Sequence, residues 1–137
     1  MIALALRQLA WLLALALAPA LVSGLHQFKF TDRTPVEKEV AASVAKSWGA
    51  KVQWVDARSR AKFEQGHISG AVLLNEDEWD RLVPAFLDAW EPEKFVVVYC
   101  DGGSCDASHA VAQRLREELK LENVHVLKGG WSAWSQK

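Results

Sequence analysis

The segment Phe95-Val96-Val97-Val98-Tyr99-Cys100-Asp101-Gly102-Gly103 decides the fold class of this chain. Its first five residues form a continuous apolar run, which is typical of a strand buried on both faces of a parallel sheet. A cysteine ends the run and two glycines follow it. The segment therefore predicts a central strand that presents Cys100 at the carboxyl edge of a sheet, where ligands bind in open α/β domains.

The regions around this strand predict an alternation of strands and helices. Three further strands are predicted from short apolar runs, at Val52–Asp56, Ala71–Leu74 and Val124–Leu127. Helices are predicted between and around them, at residues 34–48, 59–65, 75–87, 107–119 and 131–134. The first of these helices begins with an N-cap threonine, a first-turn proline and a capping-box glutamate (Thr34-Pro35-Val36-Glu37). Short connections between alternating elements predict an α/β domain with a mostly parallel sheet.

Composition bounds the class of protein. The chain has 137 residues, of which 50% are hydrophobic and 24% charged, with a net charge of −1. This describes one globular domain and excludes a disordered or repetitive chain. The near-neutral charge argues against a nucleic-acid partner, because such proteins need a basic surface. Residues 1–25 contain 20 apolar side chains and one charge, Arg7, so residues 26–137 carry 15 basic and 17 acidic side chains, a net charge of −2.

The first 25 residues have the pattern of an export segment. Arg7 precedes an uninterrupted apolar run, Leu9 to Ala18, and small residues follow in Val22-Ser23-Gly24. This pattern is typical of a cleaved secretory signal peptide. The alternative is an uncleaved membrane anchor from Leu9 to Leu25, at the lower limit of length for spanning a bilayer. In either case we expect residues 26–137 to form a domain outside the cytoplasm, with no membrane contact except through this segment.

The loop after the central strand contains the candidate nucleophile. Glycines let a backbone fold into a bowl with its N–H groups turned inward, and a helix N-terminus behind the bowl stabilises a thiolate. Cys100 is therefore a candidate nucleophile, with a buried structural cysteine as the alternative. The candidate substrate-binding residues are those of the loop that follows: Asp101, Gly102, Gly103, Ser104, Cys105 and Asp106.

Three motifs follow one another between residues 50 and 135. The first is Val55-Asp56-Ala57-Arg58, followed by Phe63-Glu64 and Gly66-His67-Ile68-Ser69-Gly70-Ala71. The second is the Cys100 loop, and the third is Val124-His125-Val126-Leu127-Lys128-Gly129-Gly130-Trp131-Ser132-Ala133-Trp134. Together, in this order, the motifs resemble a rhodanese (sulfurtransferase) domain, and the resemblance implies a central parallel five-stranded sheet flanked by helices.

The resemblance also implies an activity. In such domains the loop cysteine, here Cys100, takes sulfane sulfur as a persulfide and passes it to a thiophilic acceptor. The six-residue loop from Cys100 to Cys105 is similar to that of sulfur-handling members, whereas related phosphatases have one residue more. The expected partners are a small sulfur donor and a thiol, either free or on a protein, and the domain is expected to be a monomer. No cofactor is expected, and two cysteines with scattered histidines do not provide a metal-ligand set.

The loop departs from the family pattern at its end. The family usually has arginine there, followed by serine or threonine, whereas this chain has Cys105 and Asp106. Arginine would bind an oxyanion with two hydrogen bonds, while a thiol cannot, and the carboxylates of Asp101 and Asp106 repel anions. We therefore expect inefficient use of thiosulfate and still less phosphatase activity.

Cys105 leaves three functions open. Cys100 and Cys105 could form a reversible disulfide, in which case the domain is a dithiol/disulfide redox module, or Cys105 could release sulfide from a persulfide on Cys100. Alternatively, Cys105 only fills the loop wall. The three hypotheses are thus a sulfurtransferase, a redox module and a non-catalytic rhodanese-like binding module.

Several other side chains are expected to support the fold or the loop. Asp56 and Arg58 are expected to form an ion pair beneath the loop, and His67 is expected to be structural. His109 is expected to be a solvated surface residue, with tuning of the loop as the alternative. Among the tryptophans, Trp54, Trp131 and Trp134 are expected in the core, and Trp79 and Trp90 along a helix seam or at the mouth of the loop.

Overall fold

The computed structural model describes residues 38–103 and 106–136 of the chain. Its strands are β1 (Glu39–Val40), β2 (Val52–Asp56), β3 (Val72–Leu73), β4 (Phe95–Tyr99) and β5 (Val124–Leu127). Its α-helices are α1 (Ala42–Ser47), α2 (Arg60–Gln65), α3 (Trp79–Ala89), α4 (Asp106–Glu117) and α5 (Gly130–Ser135), and a 3-10 turn spans Gly49–Lys51.

The five strands form one sheet in the order β1-β5-β4-β2-β3, and every neighbouring pair is parallel. β4 is therefore the central strand. Its register with β2 pairs Val52 with Phe95 at one end and Asp56 with Tyr99 at the other. The fold is thus the predicted α/β domain with a five-stranded parallel sheet, and the carboxyl ends of β2 and β4 lie side by side.

Both faces of the sheet are covered, as the continuous apolar run of β4 predicts. Val96 and Val98 point into one core cluster, and Val97 and Tyr99 point into the other. Helices α3 and α4 supply the first cluster with Leu82, Phe86, Val111 and Leu115. The second cluster contains Ala45 of α1, with Trp131 and Trp134 of α5 packed against it. Alternate residues of β4 therefore hold both layers of helices.

Most elements lie where the sequence predicts them. β2, β4 and β5 have the predicted bounds, and the other elements within the described residues, except the first helix, differ by a few residues at their ends. The predicted helix over residues 34–48 is wrong in its middle, because Glu39–Val40 form an edge strand and the helix begins only at Ala42. The strand forms because β5 offers an open edge: the Val126 N–H donates to the Lys38 carbonyl at 3.0 Å and the Lys128 N–H to the Val40 carbonyl at 2.9 Å.

The predictions for the N-terminal segment and for the cap at Thr34–Glu37 lie outside the described residues. Within residues 38–103 and 106–136, the helices are too short or too polar to cross a membrane.

Candidate functional site

Cys100 follows the last residue of β4 and lies at the carboxyl edge of the sheet, as predicted. Only 3% of the residue is exposed, and it is disulfide-bonded. The sequence contains one other cysteine, Cys105, which lies with Ser104 outside the described residues. Cys100 is therefore buried beneath the protein surface rather than exposed on it.

The backbone around Cys100 is held by two neighbouring segments. Its own carbonyl accepts a hydrogen bond from the Trp131 N–H at 2.7 Å, and the Asp101 carbonyl accepts from the Ser132 N–H and Oγ at 2.9 and 2.8 Å. Gly102 and Gly103 have φ angles of 138° and 71°, in the region that favours glycine. The loop thus turns sharply away from the strand while the start of α5 fixes its first two carbonyl groups.

Gly130 makes this close approach possible. A Cβ atom at this position would lie 2.4 Å from the Cys100 carbonyl oxygen, and its φ angle is 52°. A side chain is therefore excluded both by space and by backbone conformation, which explains the second glycine of the third motif.

The first turn of α4 supplies a hydroxyl group to the cysteine. Ser108 is 2% exposed, and its Oγ donates to the Cys100 sulfur at 3.4 Å. Helix N-termini favour negative charge, so once the disulfide bond is reduced both the hydroxyl and the helix would stabilise a thiolate at this position. Sequence analysis did not identify Ser108; the available signal was a serine in the first turn of the helix that follows the loop.

Asp56 and Arg58 form a buried ion pair below the loop. Arg58 Nε and Nη2 donate to the two oxygens of Asp56 at 2.9 and 2.7 Å, and the Arg58 N–H also donates to Asp56 Oδ1 at 2.9 Å. The Tyr99 hydroxyl donates to Asp56 Oδ2 at 2.8 Å and accepts from the Ile68 N–H at 3.1 Å. This network, which we call the floor (Asp56, Arg58 and Tyr99), ties β2 and β4 to the turn before β3.

Arg58 and Tyr99 of the floor keep one protonation state over the physiological pH range. Hydrogen bonding to Asp56 raises the pKa of Arg58 above its ordinary value. Burial is the main cause that raises the pKa of Tyr99 well above its ordinary value, and the hydrogen bond to Asp56 adds to it. Arg58 therefore stays charged and Tyr99 stays neutral, which suits groups that position the loop rather than exchange protons.

The outer edge of Arg58 faces a second carboxylate. Its Nη1 lies 3.9 Å from Asp101 Oδ1, its Nη2 donates to the Gly66 carbonyl at 2.7 Å, and its guanidinium lies 4.6 Å from the centre of the Trp131 ring. Lys62 of α2 forms an ion pair with the same carboxylate of Asp101. We call Lys62 and Asp101 the rim, since both side chains are about half exposed.

Arg58 of the floor and both rim residues line an open cavity of about 340 Å³ beside the Cys100 loop. Its lining residues are Arg58, Lys62, Gln65, Gly66, Asp101 and Trp131. Sequence analysis identified Arg58 and Asp101 as site residues but missed Lys62 and Gln65, which lie on α2. It also assigned Trp131 to the core, whereas this side chain packs against the core with one part and lines the cavity with another.

The remaining candidates lie away from this cavity. His67 stacks on Phe63 with ring centres 3.9 Å apart, and its Nδ1 lies 2.9 Å from the Phe63 carbonyl. His109 lies on α4 with Nε2 3.8 Å from Glu39 Oε1. Trp79 is a core residue and Trp90 packs against the same core cluster. Within the described part of the chain, no group of three or more His, Cys, Asp and Glu side chains could hold a metal ion.

The sequence and this geometry match known proteins. A family model described as the rhodanese-like domain matches residues 40–137. The chain belongs to the rhodanese-like domain family. A thiosulfate sulfurtransferase, GlpE of Shewanella oneidensis, is 35% identical over 85 residues, which cover 62% of this chain and 77% of that protein.

Solved structures agree with the family. A rhodanese-like domain from Anabaena sp. is 30% identical with a TM-score of 0.56, covering 72% of this chain and 74% of that chain. A rhodanese-like domain protein from Staphylococcus aureus is 24% identical with a TM-score of 0.55, covering 73% and 93% of the two chains, a similarity of fold alone.

Proposed function

We propose that this rhodanese-like domain is a sulfurtransferase in which Cys100 carries sulfane sulfur as a persulfide and passes it to a thiol. The observation that carries the proposal is the setting of the Cys100 sulfur. It lies at the carboxyl end of the central strand, accepts a hydrogen bond from Ser108, and adjoins a loop with two left-handed glycines. Membership of the family and similarity to a thiosulfate sulfurtransferase support the same reaction class.

The reaction begins with a free thiol at Cys100. A thiol reductant supplies two electrons and two protons to open the disulfide bond of Cys100. The thiolate then attacks the outer sulfur of an alkyl persulfide, R–S–SH; a bond forms between the two sulfurs, the donor's S–S bond breaks, and RS⁻ leaves. An acceptor thiolate next attacks the terminal sulfur of the enzyme persulfide, which yields an acceptor persulfide and regenerates the Cys100 thiolate.

The donor class follows from the charges around the loop. Thiosulfate is a dianion, and its use would place two negative charges beside Asp101 and Asp106. Cys105 stands where the family usually has an arginine that would bind such an anion. We therefore propose that donors of low charge, such as protonated alkyl persulfides, are used more efficiently than thiosulfate.

Intact mass spectrometry of the purified, reduced chain tests the proposal. After treatment with an alkyl persulfide, the protein should gain the mass of one sulfur atom, and the gain should vanish on reduction. The gain should persist in Cys105→Ser and be absent in Cys100→Ser. If no adduct forms with persulfide, thiosulfate or polysulfide, the sulfurtransferase proposal is wrong and the non-catalytic binding module is favoured.

A second candidate function is a dithiol/disulfide module, which the disulfide bond of Cys100 favours. In this reaction a substrate dithiol reduces the disulfide and becomes oxidised itself. Differential alkylation tests it: the module predicts no alkylated cysteine before reduction and two after it, with activity lost in Cys105→Ser. Two free thiols under mildly oxidising conditions would exclude the module, while sulfur transfer that persists in Cys105→Ser separates the two functions.

We propose also that residues 1–25 take the domain out of the cytoplasm. The apolar run from Leu9 to Ala18 after Arg7 supports this localisation. Cell fractionation together with the mass of the mature protein tests it. Loss of about 25 residues indicates a signal peptide, retention in the membrane fraction indicates an anchor, and a full-length protein in the cytoplasm contradicts export.

A further inference from the structure

Two cations converge on one carboxylate at the cavity beside Cys100. Arg58 Nη1 lies 3.9 Å from Asp101 Oδ1, and Lys62 forms an ion pair with Asp101 Oδ2. The carboxylate therefore lies between the two positive groups that line this cavity. Asp101 is also the residue directly after Cys100 in the sequence.

The charges of the floor and the rim cancel. Asp56 neutralises Arg58 through two hydrogen bonds, and Asp101 neutralises Lys62. Removal of the Asp101 charge alone would leave the cavity with a net charge of +1. It would also release Lys62 and the Nη1 edge of Arg58 to bind another anion.

The guanidinium group of Arg58 is held in a fixed position in which it can bind an anion. The Arg58 side chain is only 4% exposed, because Asp56 and the Gly66 carbonyl fix its position and Trp131 lies against its guanidinium. A guanidinium held in this way loses little conformational entropy on binding an anion. The Asp101 side chain, by contrast, is half exposed to solvent.

We propose that Asp101 determines donor specificity: its carboxylate neutralises an anion site formed by Arg58 and Lys62 and thereby excludes anionic donors such as thiosulfate. The predicted effect on kcat/KM rests on the sulfur-transfer function, whereas the predicted effect on the dissociation constant of thiosulfate does not require turnover. In the wild-type domain an incoming dianion must displace the Asp101 carboxylate or lie beside it, and both are unfavourable. A donor of low charge meets neither obstacle.

Thiosulfate binding to a chain that cannot react tests the proposal directly. The background is Cys100→Ser in the full chain under reducing conditions, and the dissociation constant is measured by calorimetry at low ionic strength. Asp101→Asn should bind thiosulfate about tenfold more tightly than its parent, since the net charge of +1 that this variant leaves about 4 Å from the anion is worth at least about 1.4 kcal/mol, or a factor of ten. Added salt should weaken this binding.

Matched variants separate charge from structure. Lys62→Gln combined with Asp101→Asn restores a neutral cavity and should return the affinity to within about threefold of the parent. Asp88→Asn changes the net charge equally on the exposed side of α3 and should change the affinity less than about twofold. If Asp101→Asn does not fold, as judged by circular dichroism, Asp101→Ser replaces it.

Two results would overturn the proposal: an unchanged affinity in a folded Asp101 variant, or equal tightening in the Lys62→Gln/Asp101→Asn double variant. With Cys100 present, Asp101→Asn should raise kcat/KM for thiosulfate relative to an alkyl persulfide. If Asp101→Asn tightens thiosulfate binding but Cys100 forms no persulfide, the anion site is supported and the sulfur-transfer function is wrong. The two proposals can therefore fail independently.

Discussion

The floor and the rim contain ion pairs of the same chemical kind, at the same edge of the sheet, in very different surroundings. Asp56 and Arg58 have side chains that are 0% and 4% exposed, whereas Lys62 and Asp101 are 51% and 50% exposed. The buried pair connects β2 and the turn before β3 through Tyr99, and the exposed pair connects α2 to the residue after Cys100.

This difference separates stability from selectivity. A buried ion pair has lost its hydration, so removal of one partner leaves an uncompensated charge and a large penalty. An exposed pair is hydrated and screened, so its loss changes the free energy of unfolding little. The floor therefore holds the loop in place. The charge of the rim, and with it the preferred sulfur donor, can change with little effect on the free energy of unfolding.

The largest effect is expected from breaking the floor. Asp56→Asn keeps the shape of the side chain but leaves the buried Arg58 charge uncompensated, so we expect a loss of about 3 to 5 kcal/mol in the free energy of unfolding. Urea denaturation of the reduced protein measures it. A loss below about 1 kcal/mol would contradict the distinction between floor and rim.

A smaller effect is expected at the glycine that supports the Cys100 carbonyl. Gly130→Ala introduces both left-handed strain and a contact at 2.4 Å with that oxygen, and we expect a loss of about 2 to 3 kcal/mol. Gly70→Ala is the matched control, because Gly70 has a φ angle of 78° with no atom near the added Cβ. Equal losses of unfolding free energy in the two variants would show that the close approach of Gly130 to the Cys100 carbonyl does not contribute to stability.

Breaking the ion pair of the rim should have little effect on stability. Lys62→Gln breaks the ion pair with Asp101 at the surface, and we expect a change of less than about 1 kcal/mol in the free energy of unfolding. The same urea titration measures it beside Asp56→Asn. A loss as large as that of Asp56→Asn would place the rim within the folding core and contradict its assignment to selectivity.

The smallest effect concerns pH, at a residue far from both pairs. Burial lowers the pKa of His125 on β5, and the nearby charges of Lys38 and Arg116 lower it further. The unfolded chain therefore takes up this proton first, so stability should decrease as pH falls below about 6.5. His125→Gln should remove the contribution of His125 to the dependence of the free energy of unfolding on pH, measured by urea denaturation between about pH 7.5 and pH 5. An unchanged slope would exclude His125 as its source.

The sequence predicted the interior of the fold better than its edge. β4 is a continuous apolar run, and β2 and β5 are mostly apolar, so their burial within the sheet can be inferred from their own residues. β1 has two residues and owes its existence to the open edge of β5, which lies more than 80 positions away in the chain. The resemblance to a family implied a fifth strand, but local patterns assigned its residues to a helix.

The candidate site was predictable where its residues adjoin strand ends and not where separate elements meet. Cys100 follows β4, while Asp56 ends β2 and Arg58 lies just after it, and parallel strands bring such ends together. Lys62 and Asp101 are 39 residues apart, and nothing in the charge pattern of α2 indicates that its one lysine faces the loop. The contacts of Ser108 and Trp131 with Cys100 were not predicted for the same reason, since a helix start and a glycine turn place these residues against Cys100 only in three dimensions.

Sulfur transfer through Cys100 is the central claim, and an isotope chase tests it most directly. The reduced chain is loaded with an alkyl persulfide whose outer sulfur is ³⁴S, freed of donor, and mixed with a low-molecular-weight thiol. We predict one labelled sulfur on the protein, absent in Cys100→Ser, and its quantitative recovery as the persulfide of the added thiol. Label that never enters the protein, or that enters Cys100→Ser equally, would contradict the assignment of Cys100 as the sulfur carrier.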